Sequence, residues 1–297
     1  MADSPLPNLI DTLHRGRARA IGCWDLGGLL VDPGPEPCMH TVLSAVSEPP
    51  RALLLTHIHL DHAGAAGALA RHFPELTVYV HRNGAEHLAD PSKLIASATR
   101  LYGDEMQELW GEIVPVPAER IVALEGGESI EVAGRALDVI YAPGHASHHV
   151  VYLDRRDGIA YVGDVAGVRI PPCDFVMAPT VPPELDLELW RESIELVRAK
   201  RPARLALTHF GAAEDVSAQL DGALAALQRQ GEVARSLLES GLGSESAGER
   251  FAAELEKRIR AESDSETAAT ALQVSSPHVM WLGLERYWGK RAAESRT

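Results

Sequence analysis

The chain has 297 residues, a formal net charge of −14, 45% hydrophobic residues and 24% charged residues. It is long enough for one large or two smaller domains with a sizeable core. The acidic balance and the lack of a Lys/Arg cluster weigh against a nucleic-acid partner, which calls for a basic face. No apolar run reaches membrane-spanning length. The N-terminal stretch MADSPLPNLIDTLHRGRARA has no basic-then-apolar leader, so the expectation is a cytoplasmic protein with no membrane contact. Cys23, Cys38 and Cys173 are widely spaced and odd in number, which reads as free thiols in a reducing compartment.

In chain order, short apolar runs bounded by Gly, Pro, Asp or Asn predict strands at 26–32, 52–56, 77–81, 128–132, 137–142, 149–153, 158–162 and 204–208. Helical patterns lie among them at 63–72, 84–110 and 186–200, so the fold class is α/β with helices packed outside sheets. After about residue 212 the chain reads as helix. Leu220, Leu224 and Leu227 repeat at helical spacing, as do Phe251, Leu255 and Ile259. The stretch 241–249 reads as an inter-helix loop. Ser276-Pro277 reads as a cap and first helical position for a helix over 276–291, with Met280, Leu284, Tyr287 and Trp288 on one face. The chain therefore divides into 1–211, an α/β part, and 212–297, a helical region. The apolar face of the last helix, with Trp281, would cover either the α/β part or the partner subunit of a homodimer.

The stretch LLLTHIHLDHAGAAG, residues 53–67, crowds His57, His59, Asp61 and His62 behind one predicted strand. Three further metal-capable residues sit just beyond other strands: His145 after LDVIYAPG, Asp164 after IAYVG and His209 after RLALT. Strand ends let a rigid sheet hold ligands in fixed geometry. His57 and His59 are two apart, so in an extended segment they point the same way. Asp61 and His62 open the next helix and face a second point. Imidazole and carboxylate without thiolate suit zinc, and also iron or manganese. Five histidines and two carboxylates exceed one tetrahedral ion and fit two ions sharing a carboxylate.

These residues resemble the metallo-β-lactamase superfamily. The match is Thr-His57-Ile-His59-Leu-Asp61-His62-Ala-Gly64, then Pro-Gly-His145, Gly-Asp164 and Thr-His209, with LLVDPG and its Asp32 ahead of the motif. It covers about residues 20–211. The resemblance implies a metallo-β-lactamase αββα sandwich with the site at one edge. It implies that His57, His59 and His145 bind a first zinc ion, that Asp61, His62 and His209 bind a second, and that Asp164 bridges them. A metal-bridging hydroxide would be the nucleophile, and the clamped pair of ions would stabilise both attacking and leaving atoms.

Within the family, Asp164 stands where the main class of zinc β-lactamases carries cysteine. The added domains of the RNA-processing and flavin-linked members are not recognisable. The remaining group, similar to glyoxalase II and the lactonases, implies a hydrolase of a small-molecule ester, thioester or lactone. The basic residues that hold glutathione in glyoxalase II are not recognisable in FGAAEDVSAQL after His209. The alternatives are a phosphodiesterase or nuclease on the same centre, and a single-iron oxygenase of the persulfide dioxygenase type. Three further candidates each have two readings. His148 is either a helper beside the metals or a packing histidine. Tyr102, in the stripe Tyr102, Met106 and Trp110, is either core or a substrate contact. Arg169 is either a contact for an anionic substrate group or a solvated loop cation.

Overall fold

The structure is a computed structural model that describes residues 6–294, so 1–5 and 295–297, the outer ends of the two expected segments, lie outside the described residues. One sheet has the order β1 (Asn8–Asp11), β2 (Gly22–Asp25), β3 (Leu29–Val31), β4 (Ala52–Leu54), β5 (Thr77–His81) and β6 (Ile121–Leu124). Its first three strands pair antiparallel and β3 through β6 pair parallel. The other sheet has the order β14 (Gly211–Ala213), β13 (Arg204–Leu207), β10 (Ile159–Gly163), β9 (Val150–Asp154), β8 (Arg135–Tyr141) and β7 (Ser129–Val132). Only β10 and β13 pair parallel there. A two-stranded ribbon joins β11 (Val168–Arg169) to β12 (Val176–Met177).

Side-chain alternation decides the layering. Leu29, Val31 and Leu54 face inward with Trp24, Val139, Tyr152 and Tyr161, and these fill the space between the sheets. Their chain neighbours Leu30, Leu53 and Leu55 face the opposite way. There they meet α1 (Met39–Ala45), α3 (Ala66–His72) and α4 (Arg82–Ala89) through Val42, Leu69 and Leu88. On the far side of the second sheet, Ile140, Val151, Val162 and Leu205 pack under α7 (Leu187–Ala199). The four layers are helix, sheet, sheet and helix, the expected αββα sandwich. Backbone carbonyls also tie the sheets together: Trp24 Nε1 donates to Leu207 O at 3.2 Å and Tyr152 Oη to Leu55 O at 2.9 Å.

The C-terminal region is helical as expected, in α8 (Val216–Glu239), α9 (Ser244–Glu262), α10 (Ser265–Val274) and α11 (Pro277–Glu294). It shares one core with α7 and the second sheet, through Leu220, Leu227, Phe251, Met280 and Leu284. The apolar face of α11 is covered within the chain. Trp281 meets Phe251 at 5.9 Å between ring centroids, and Trp288 Nε1 donates to Gly231 O at 3.0 Å.

Several boundaries differ from the sequence reading. The helix expected over 84–110 is α4, α5 (Ser92–Tyr102) and α6 (Met106–Trp110). Pro91 ends the pattern between the first two, and Gly103, at φ +50°, turns the chain between the second two. The pattern at 63–72 is split into α2 (Leu60–Ala63) and α3. The loop expected over 241–249 spans far less, because α9 starts at Ser244 with Gly243 as its extended N-cap. The strand expected over 26–32 is only Leu29–Val31, since Gly27 and Gly28 turn the chain at positive φ. The strands β1, β2, β6 and β14 were not anticipated. They are three or four residues long and carry no sustained alternation.

Candidate metal centre

All seven ligand candidates meet at one edge of the sandwich. His57 follows β4, His59 is the extended N-cap of α2, and Asp61 and His62 lie on α2 itself. His145, Asp164 and His209 follow β8, β10 and β13. Potential ligand atoms fall into three groups, each within 4.8 Å: His57, His59 and His145; Asp61, His62 and His209; and His57, His62 and Asp164.

The histidines converge tightly. His59 Nδ1 lies 3.0 Å from His57 Nε2 and 2.9 Å from His145 Nε2. On the other side, His209 Nε2 lies 3.3 Å from His62 Nε2 and 3.3 Å from Asp61 Oδ2. Asp164 divides between the two groups. Its Oδ2 is 3.4 Å from His145 Nε2, while its Oδ1 is 3.3 Å from His62 Nε2 and 3.6 Å from His209 Nε2. Asp164 Oδ1 is buried with no hydrogen-bond donor. A buried carboxylate oxygen without a donor is costly unless a cation satisfies it. The donor set therefore fits divalent cations, with no thiolate present.

Outer partners fix which ring nitrogen four of the five histidines offer, His59 alone facing the cluster through Nδ1. His62 Nδ1 donates to Asp32 at 2.8 Å, His57 Nδ1 to Thr56 Oγ1 at 3.1 Å, His145 Nδ1 to Pro179 O at 3.0 Å and His209 Nδ1 to Ala20 O at 2.7 Å. In each case Nε2 is left to face the cluster. Asp32 is fully buried and sits at φ +50°. It accepts from the Thr56 amide, the Thr56 and Thr208 hydroxyls and the His62 ring. His149 Nε2 accepts from the Asp164 amide at 3.2 Å, and its ring stacks on His57 at 4.9 Å.

Electrostatics divide the cluster: the Asp164 and Asp61 charges outweigh burial at His62 and His209 and raise both rings, so a cation there would have to displace their protons, whereas burial lowers the rings of the other group. Burial alone would raise the Asp164 and Asp61 carboxyls, but the facing His62 and His209 rings hold both below the ordinary range. Burial, then the surrounding rings, push His57 and His145 down, although Asp164 partly opposes the shift at His145. Burial, opposed only in part by Asp164, brings His149 down to about 3. Neutral imidazole and ionised carboxylate are the forms that bind metals.

His59, Asp61, Asp164 and His209 open onto a cavity of about 590 Å³. Tyr102 lines it, edge-on to Trp110 at 5.1 Å, and its hydroxyl is raised by burial and by the nearby Asp61 charge. His148 does not line it. His148 lies behind the cluster, stacked on His57 at 6.1 Å, with Nδ1 accepting from the Ile58 amide at 3.4 Å. Arg169 does not line it either: its guanidinium donates to Ala212 O at 3.0 Å and lies 3.6 Å from Asp174. Arg169, on β11, is thus bonded within the chain and stands away from the cavity.

Three supporting residues escaped the sequence reading: Thr56, Thr208 and His149. A signal for two of them existed. Leu-Thr-His occurs twice, at 55–57 and at 207–209, and both hydroxyls converge on Asp32.

Residues 25–209 match the family model of the metallo-beta-lactamase superfamily. The chain belongs to that superfamily, whose members are mostly metal-dependent hydrolases and whose fold binds divalent metals. Among relatives, it is 29% identical over 162 residues to the metallo-beta-lactamase fold-containing protein ST1585 of Sulfurisphaera tokodaii, covering 54% of this chain and 60% of that one. It is 32% identical over 136 residues to the hydroxyacylglutathione hydrolase of Aeromonas hydrophila, covering 46% of this chain and 41% of that protein. The matches thus span only part of those relatives' lengths, under two thirds of each. By fold it is similar to the archaeal superfamily protein ST1585, with TM-score 0.65 at 20% identity over 94% of this chain and 98% of the other. It is also similar to a metallo-beta-lactamase family protein from Thermus thermophilus, with TM-score 0.62 at 20% identity over 92% and 89%. No helix among the described residues is long and apolar enough to cross a membrane.

Proposed function

We propose that the protein is a dinuclear metal-dependent hydrolase of an ester, thioester or lactone, acting on a small molecule. The observation that carries this reading is the division of Asp164 between two histidine groups, with Oδ2 toward His145 and Oδ1 toward His62 and His209. In this reading His57, His59 and His145 hold one cation, Asp61, His62 and His209 hold the other, and Asp164 touches both. Zinc fits this donor set, and so do iron and manganese. The bound pair would supply an activated water and polarise the scissile carbonyl.

The chain's own residues do the rest. Asp32, Thr56, Pro179 O and Ala20 O hold the ring protons on Nδ1, so the cluster keeps its geometry without rearrangement. His149 fixes the Asp164 backbone and thereby the aim of its carboxylate. Tyr102, on the cavity wall beside Asp61, presents a neutral hydroxyl that can donate to the substrate. His148, behind His57, acts by packing and by its bond from Ile58.

The test is a hydrolysis panel of lactones, thioesters, aryl esters, a β-lactam and an aryl phosphodiester, each with a chelated control. Chelator-sensitive turnover of an acyl substrate is expected. Turnover confined to the phosphodiester would replace this reading with the nuclease-type alternative. Oxygen uptake by a protein holding one iron, without hydrolysis, would replace it with the oxygenase alternative.

A further inference from the structure

The acyl-hydrolase reading leaves the acyl group unspecified, and the cavity wall bears on it. The cavity is walled on one side by Leu94, Ala98 and Leu101 of α5 with Trp110 of α6, and on the other by Val274 and Val279 at the α10–α11 corner. The cations at its rim are engaged: Arg15 pairs with Glu108 at 2.7 Å, and Arg17 Nε donates to Gln273 at 2.8 Å. His14 is engaged as well, stacked on Trp110 at 5.7 Å with Nε2 at 2.9 Å from Leu109 O. Trp110 Nε1 and Ser275 Oγ have no hydrogen-bond partner, but both atoms are covered by the wall. Beyond His59, Asp61, Asp164 and His209 a ligand meets these two apolar walls, with Ser97, Glu105, Ser276 and His278 as further polar groups among them. The cavity's 590 Å³ is in the ordinary range for a whole small ligand.

Resting on that reading, we propose that this cavity takes an aliphatic acyl chain of medium length, lying between α5–α6 and the α10–α11 corner with its carbonyl carbon at the cluster. Burying each methylene against such walls strengthens binding by roughly three- to fourfold. Arg15 is ion-paired and Arg17 is bonded to Gln273, so these two rim cations offer a polar group less than the apolar walls offer a chain.

The test is calorimetric binding of straight-chain carboxylates, acetate through decanoate, to the metal-loaded protein. Affinity is expected to climb by roughly three- to fourfold per methylene until the cavity is filled. Ala98→Phe, which fills the cavity from α5, is expected to flatten the climb while metal content stays at the wild-type value. Val274→Phe does the same from the opposite wall at a half-buried position, and serves if the first variant does not fold. A flat series in the wild type would overturn the proposal. So would a climb that neither variant alters, since the chain would then bind elsewhere. Binding does not depend on turnover, so the two readings fail separately. Turnover of short polar thioesters with a flat binding series sinks the chain proposal alone. A climbing series with no acyl turnover sinks the hydrolase reading and leaves an aliphatic-ligand cavity.

Discussion

The cluster and the cavity wall facing it are specified differently by the chain. The cluster residues stand just beyond strand ends or, for Asp61 and His62, on the short helix α2 that follows β4, so their positions are set by local sequence and by a rigid sheet. The wall is assembled from the α5–α6 segment, the 14–21 segment and the α10–α11 corner, which are far apart in sequence. The chemistry therefore resides in strand ends, and selectivity resides in packing that only the folded chain brings together.

The largest expected effect strikes the cluster. Asp164→Ala removes the one carboxylate shared by both histidine groups. Losing an outer partner alone typically costs about 10–100-fold in metal affinity, so losing this ligand should cost at least on the order of a hundredfold. Metal analysis and turnover check it, and two retained cations with full activity would break the distinction. Next comes Trp281→Ala in the helical region, where Trp281 is buried against Phe251 and Gly248. Stability should fall by about 3–5 kcal/mol, read by urea unfolding. Cations should remain bound in the folded protein, because no strand end is touched.

Asp32→Asn sharpens the comparison from beneath the cluster. Asparagine tolerates the positive φ at this position. It has only one oxygen to offer where Asp32 accepts four hydrogen bonds. Metal affinity should drop by about 10–100-fold with the fold retained, measured by competition with a chelating dye. An unchanged affinity would mean that Asp32 does not orient His62. The smallest effect is expected at Gln273→Ala, which removes the bonds from Arg17 and to His14 O. Stability should change by about 1 kcal/mol or less, since the site is partly exposed. A stronger effect on metal content than on stability would tie the rim to the cluster and blur the division.

The sandwich and the meeting of seven ligand candidates were legible because apolar runs and the residues after them carry both signals at short range. The supports were less so. Thr56 and Thr208 look like ordinary strand-end residues until Asp32, just after β3, is seen between them, 24 residues before one and 176 before the other. The breaks at Pro91 and Gly103 were written in the sequence, but the apolar periodicity runs across them. Arg169 and His148 show a different limit: nearness in sequence to a ligand does not by itself bring a side chain to the cavity. Their partners Ala212, Asp174 and Ile58 are set by tertiary packing.

The measurement that tests the account most directly is metal stoichiometry by titration of the chelator-treated protein, followed by calorimetry and elemental analysis, for the wild type and Asp164→Ala side by side. The account predicts two divalent cations per wild-type chain and a loss of tight binding in the variant. One cation per wild-type chain, or two in a variant that binds as tightly as the wild type, would contradict the shared-carboxylate centre.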